Sequence, residues 1–150
     1  CLKPNLLQIE LTESVMLHGA EKAAEVMRPL GALGVTMAID DFGTGYSCFS
    51  YLPKLPFNAL KIDRSFVKEL EYRPETKAMV QSLVTLAHNL DMQVIVEGVE
   101  TPEQLAMIKS FGSNEVQGYL LGKPTADPAS QLTQWHESLG KLEPATKPKV

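Results

Sequence analysis

Five short apolar runs recur along this chain, each separated from the next by a stretch patterned for a helix. They occupy residues 6–11, 35–39, 59–63, 92–96 and 115–120. Runs of this length read as strands, and strands joined by helical crossovers pair in parallel, because a parallel neighbour cannot be reached by a tight turn. The runs read as apolar on both faces, as expected for a parallel sheet covered by helices. Between them, Met27, Leu30 and Leu33 mark a helix over 20–33. Met79, Leu83, Leu86 and Leu90 stripe a second over 74–90, with Pro74 in its first turn. Thr101-Pro-Glu-Gln104 is a capping box that opens a third, stopped after Phe111 by Gly112. Residues 49–55 predict a short helical turn broken by Pro53 and Pro56, and Asp127-Pro128 opens a last helix ending near Gly140.

Five strands are too few for a closed (β/α)8 barrel, which takes about 200 residues or more. The chain therefore reads as the C-terminal part of such a barrel, with a body over 1–140 and a Lys- and Pro-containing flexible tail over 141–150. A start at Cys1 rather than Met fits a chain whose upstream part is absent.

A net charge of −4 offers no basic footprint for a nucleic-acid polymer, so a phosphate-bearing ligand here needs metal to offset its charge. Two cysteines, Cys1 and Cys48, exclude a disulfide framework and a Cys-rich zinc site, and they fit a reducing, cytoplasmic setting. No apolar run approaches a membrane span and no signal peptide is visible.

The informative residues are the polar ones that interrupt the apolar runs. Glu10, the pair Asp40-Asp41, Lys61, Glu97 and Gln117 fall in or at the end of five successive strands. A barrel gathers its C-terminal strand ends at one mouth, where this fold places its chemistry. Adjacent carboxylates repel unless a cation neutralises them. Taken alone, Asp40-Asp41 reads equally as a turn cap, Glu97 as a cap before Gly98, and Lys61 as an ion-pair partner of Asp63 or Asp41. Together the carboxylates suit oxygen-preferring Mg²⁺ or Mn²⁺, and two such ions favour phosphodiester cleavage. An amine beside metals in a partly buried site is expected to have a lowered pKa, which would let Lys61 hold or deprotonate the attacking water.

The strings Glu10-Leu-Thr-Glu13, Asp40-Asp-Phe-Gly-Thr-Gly-Tyr46-Ser, Leu60-Lys-Ile-Asp63-Arg-Ser-Phe-Val67, Val96-Glu-Gly-Val-Glu100-Thr and Gln117-Gly-Tyr resemble, in order, the EAL domain. That family is the bacterial phosphodiesterase module for cyclic di-GMP, and the resemblance covers residues from about 3 to 139. It implies an α/β (β/α)8 barrel, of which this chain supplies about five C-terminal units, and hydrolysis of cyclic di-GMP to linear pGpG. It implies Glu10, Asp40, Asp41 and Glu97 as ligands of a two-metal Mg²⁺ or Mn²⁺ site, incomplete in this chain, and Lys61 at the catalytic water. It puts Gln117 at the site, gives Glu13 the steadying of the Asp-Phe-Gly-Thr-Gly loop near a dimer contact, and leaves Asp63 and Glu100 as substrate or loop support. The family's Glu-Ala-Leu segment and a metal-binding Asn on the next strand have no counterpart. Cys48 and Phe49 stand where Ser and Leu are common. Partners implied are cyclic di-GMP, a second copy of the complete domain, and upstream sensory or diguanylate-cyclase (GGDEF) domains in a parent protein that could itself be membrane-anchored.

Two rival readings remain. One is a receptor module that binds the dinucleotide without cleaving it, against which the retained acids count. The other is a barrel enzyme in which Lys61 forms a Schiff base, against which the surplus of carboxylates counts. His18, His88 and His136 share no ligand-like spacing and read as surface or packing residues. Trp135 reads as a core or interface anchor and Cys48 as a packing residue.

Overall fold

In the computed structural model, residues 2–45, 49–127, 129–130 and 132 are described, the side chains of 16–18 excepted. Residues 128, 131 and 133–140 of the expected last helix, the tail, Trp135, His136, both cysteines and the His18 side chain lie outside that set. All five apolar runs form strands: β1 (Gln8–Thr12), β2 (Thr36–Phe42), β3 (Ala59–Ile62), β4 (Gln93–Glu97) and β5 (Glu115–Gln117). They make one parallel sheet in the order β1-β2-β3-β4-β5, so strands consecutive in sequence are neighbours in space. The intervening helices are α1 (Glu13–Ala32), α2 (Arg64–Glu69), α3 (Pro74–Asn89) and α4 (Pro102–Phe111), with 3₁₀ turns at Pro4–Leu6 and Leu52–Lys54.

Helix boundaries follow local chemistry. α4 opens on the expected capping box: Thr101 Oγ1 accepts the Gln104 N–H at 3.1 Å, and Gln104 Oε1 accepts the Thr101 N–H at 3.2 Å. α1 begins seven residues before the expected start and is interrupted at Gly19, whose ψ of 37° departs from the helix. The apolar spacing therefore reported only its second half. α2 was not expected. Asp63 caps it by accepting the Ser65 N–H at 2.9 Å, a signal present in the sequence but too brief for periodicity to register.

The register corrects the expectation of two equally apolar faces. Residues paired in a parallel ladder share a face, and the pairs Met37 with Ile9, Ile39 with Leu60, and Val94 with Leu60 lie on the helix-covered side. There Met37, Ile39, Leu60, Ile62, Val94 and Val96 are fully buried in the main core with residues of α1, α2, α3 and α4. Each such side chain contributes about 1.5–3 kcal/mol through burial. The opposite face carries Ala38, Ala59 and Ile95 as a small separate cluster, and beyond it the polar residues. Small side chains there fit the crowded interior of a curved sheet, and polar ones take over toward the C-terminal ends.

Two asparagines set the strand entries. Asn58 Oδ1 accepts the Met37 N–H at 2.9 Å, and Asn114 Oδ1 accepts the Val94 N–H at 2.8 Å. Each lies just before its own strand and ties it to a neighbouring one, which fixes the height of the site residues further along. His88, at the end of α3, contacts Asn114 through Nε2 at 3.1 Å, in keeping with a packing role.

A carboxylate and lysine cluster at the strand ends

β2 runs past its expected end at Ile39 and takes in both aspartates. Ile39 pairs with Leu60 and Phe42 with Ile62, so Asp40 and Asp41 together face the single residue Lys61. This is a β-bulge, and Asp41 takes up the extra residue with a left-handed φ of 54°. In a regular strand the two carboxylates would point to opposite faces. The bulge suspends that alternation, and oxygens of Asp40, Asp41 and Glu97 lie within 4.8 Å of one another.

Lys61 is the centre of the cluster. Its Nζ lies 2.7 Å from Glu10 Oε2, 2.7 Å from Glu97 Oε1 and 3.0 Å from Asp40 Oδ1, joining β1, β2 and β4 through β3. The expected alternative partners, Asp63 and Asp41, are not among its ion pairs. The lysine side chain is 7% exposed, and those of Glu10, Asp40 and Glu97 are 43%, 23% and 20% exposed. Burial alone would pull the ammonium down, but its hydrogen bonds to the Glu10 and Glu97 carboxylates and the nearby charge of Asp40 outweigh this and hold Lys61 above the ordinary lysine range. The three carboxylates around the amine thus act in the direction opposite to the lowering expected for an amine beside metal ions.

The donor set fits a divalent cation. Asp40 Oδ1 is buried and, although close to Nζ, has no aligned hydrogen bond. With Asp41 and Glu97 it forms an all-oxygen group in which negative charge exceeds the single ammonium, the preference of Mg²⁺ and Mn²⁺.

The remaining candidates are distributed around this centre. Gln117 pairs in register with Glu97, on the same face and exposed. Glu13, at the start of α1, is 3% exposed, and its Oε2 accepts the Gly43 N–H at 3.1 Å, tying α1 to the loop after the bulge. Asp63 is occupied as the cap of α2. Glu100 is exposed, and its N–H donates to Gln104 Oε1 at 2.8 Å, so its backbone is engaged with α4.

The Asp63 cap gives a pH-dependent test. Partial burial pushes its carboxyl up, but bonds from the Ser65 and Arg64 amides outweigh this and hold it below the ordinary value of 3.8. A lowered folded pKa stabilises the fold fully above the unfolded value and loses that contribution as pH falls. Asp63→Ala is expected to cost about 1 kcal/mol at neutral pH. In urea titrations, its difference from wild type should shrink below pH 3.8.

A parallel β/α sheet with a carboxylate and lysine cluster at its C-terminal strand ends defines a barrel-type α/β protein with a metal-competent mouth. More particularly, the chain belongs to the EAL domain family, which it matches over residues 2–124. It is 43% identical over 131 residues to the bifunctional diguanylate cyclase/cyclic di-GMP phosphodiesterase MucR of Pseudomonas aeruginosa, spanning 87% of this chain and 19% of that protein. It is 38% identical over 131 residues to the cyclic di-GMP phosphodiesterase PdeR of Escherichia coli, spanning 87% and 20%. Among solved structures, the MucR phosphodiesterase in complex with c-di-GMP matches with a TM-score of 0.80 at 43% identity, covering 87% of this chain and 52% of that one. A Klebsiella pneumoniae BlrP1 manganese/cy-diGMP complex matches with a TM-score of 0.77 at 33% identity, covering 82% and 31%. The chain thus spans about a fifth of the length of these curated relatives.

Proposed function

We propose that this chain carries the catalytic face of a divalent-metal phosphodiesterase that hydrolyses cyclic di-GMP to linear pGpG. The observation that carries the reading is the convergence of Glu10, Asp40 and Glu97, from three strands, on Lys61 of a fourth, with Asp41 brought to the same face by the bulge. The named activities of MucR and PdeR and the manganese and dinucleotide complex of BlrP1 support it.

In this reading Glu10, Asp40, Asp41 and Glu97 hold Mg²⁺ or Mn²⁺. The chemistry such ions supply when bound is charge compensation for the phosphate and easier deprotonation of water. Water adds across one P–O bond of the cyclic dinucleotide, leaving a 5′-phosphate on one nucleoside and a free 3′-hydroxyl on the other. Lys61, fixed by its carboxylates, donates hydrogen bonds that orient the attacking water and offset negative charge on the phosphoryl oxygens. Gln117 offers an amide beside Glu97, Glu13 holds the loop at Gly43, and Asp63 and Glu100 support the surrounding helices. The Schiff-base reading loses ground, because an amine held protonated by its neighbours is not a nucleophile.

The body over 1–140 is proposed as part of an EAL barrel. Its coverage of 52% of the MucR phosphodiesterase chain supports this, as does an exposed apolar groove along β1 and α1 lined by Ile9, Leu11, Val15, Val26 and Leu30. Further domains, a dimer of the whole domain and a cytoplasmic setting belong to the same proposal. The relatives' greater length supports further domains, and the absence among the described residues of a helix able to cross a membrane leaves the setting open.

The test is hydrolysis of cyclic di-GMP in Mn²⁺, followed by chromatography for pGpG, in wild type and Glu97→Gln, both alone and in a form extended upstream. Formation of pGpG that falls about a hundredfold or more in Glu97→Gln is expected. Binding without cleavage by a folded, extended protein would favour the receptor reading.

A further inference from the structure

Immediately after the bulge the chain must turn away from the sheet, with Asp41 at φ 54° and Gly43 at φ 92°. Two groups hold the turn. One is the Glu13 carboxylate on the Gly43 N–H. The other is the Phe66 ring: a β-carbon placed on Gly43 would lie 2.8 Å from Phe66 Cζ and 2.9 Å from Cε2, with Leu83 Cδ1 at 3.8 Å. The ring edge therefore occupies the space beneath Gly43.

Phe66 is itself tied to the strand that carries Lys61. It sits on α2, whose cap Asp63 lies two residues beyond Lys61, and its N–H donates to the Asp63 carbonyl at 3.2 Å. Its outer side borders a cleft of about 410 Å³ shared with Ser65, Glu69, Thr76 and Met79. A rigid aromatic edge under a glycine transmits position where a flexible contact would not.

We propose that Phe66 is a positioning residue for the metal-binding aspartates, setting the height of the Asp40–Gly43 segment against Lys61 by its contact with Gly43. The inference rests on the metal-binding part of the function proposed above. Groups that orient metal ligands without touching the ion typically change metal affinity when altered.

Two variants disturb the contact in opposite directions. Phe66→Leu removes the ring, and Phe66→Tyr adds a hydroxyl on Cζ, the atom nearest Gly43. Val84→Ala, at a 1% exposed site on α3, is the control for general loss of packing. Mn²⁺ affinity is read by electron paramagnetic resonance, and hydrogen exchange at the Gly43 amide reports the turn without metal. Both Phe66 variants are expected to bind Mn²⁺ about tenfold more weakly and to exchange Gly43 faster. Val84→Ala should lower the melting temperature with wild-type Mn²⁺ affinity.

Wild-type Mn²⁺ affinity in the folded Phe66 variants overturns the proposal, as does an equal loss in Val84→Ala. A wild-type protein that binds Mn²⁺ without cleaving cyclic di-GMP overturns the enzymatic reading and leaves this one standing. Absence of Mn²⁺ binding in wild type, both alone and in the form extended upstream, overturns both.

Discussion

Lys61→Met should destabilise the metal-free protein by about 2 kcal/mol and lose most of that penalty in Mn²⁺. The ammonium is the partner of Glu10, Asp40 and Glu97, and removing it leaves those carboxylates facing one another with Asp41 alongside. A fully buried pair broken in this way costs about 3–5 kcal/mol. The smaller figure reflects the 43% exposure of the Glu10 side chain, which lets water take up part of the charge. A bound cation would replace the missing positive charge, so denaturation in chelator and in Mn²⁺ should give different losses. In the proposed reaction, turnover should nevertheless fall about a hundredfold or more even with saturating metal, because the donor proposed to orient the water is gone. An equal stability loss with and without metal would show that the carboxylates do not share a cation.

The second large effect is Gly118→Ala, expected to cost about 3 kcal/mol and to weaken the site at the same time. The constraint is space: a β-carbon on Gly118 would overlap the amide nitrogen, carbonyl carbon and carbonyl oxygen of Val99. Backbone cannot move aside as the tip of a side chain can. Val99 N–H donates to the Gln117 carbonyl at 3.1 Å, and Leu120 N–H donates to the Val99 carbonyl at 3.0 Å. Separating the two segments would strain both bonds and draw Gln117 away from Glu97. The urea midpoint measures the stability loss, and a wild-type midpoint would mean the close approach is not maintained in solution.

This approach also explains why β5 ends at Gln117 rather than continuing to Leu120, as the apolar run suggested. The run was legible in sequence, but the crossing of Val99 over Gly118 is a contact between separate segments that no local pattern records. The same division holds elsewhere. The α4 capping box was readable because all its bonds lie within four residues. The convergence of Glu10, Asp40, Lys61 and Glu97 on one mouth was readable because successive strand ends share a side. That Lys61 would be gripped by three carboxylates, and its amine thereby raised, was not readable, since it depends on distances across four strands. Asp63 stands out in sequence as a charge, whereas its geometry makes it the cap of α2.

The bulge has a consequence for how such a site can decay over evolution. A strand is a two-state counter: each residue gained or lost inverts the inside-or-outside assignment of everything beyond it. Asp40 and Asp41 share one place in that count, and Phe42 re-enters the ladder opposite Ile62 with its parity restored. Substitution of either aspartate can silence the chemistry while Phe42 stays in the core. Deletion of either would turn the bulge into a regular strand, with one aspartate opposite Lys61 and Phe42 still opposite Ile62 in the core. Descendants of this sequence that lose one of the two acids, by substitution or by deletion, should therefore keep Phe42 in the core and retain the frame of the site without its paired carboxylates.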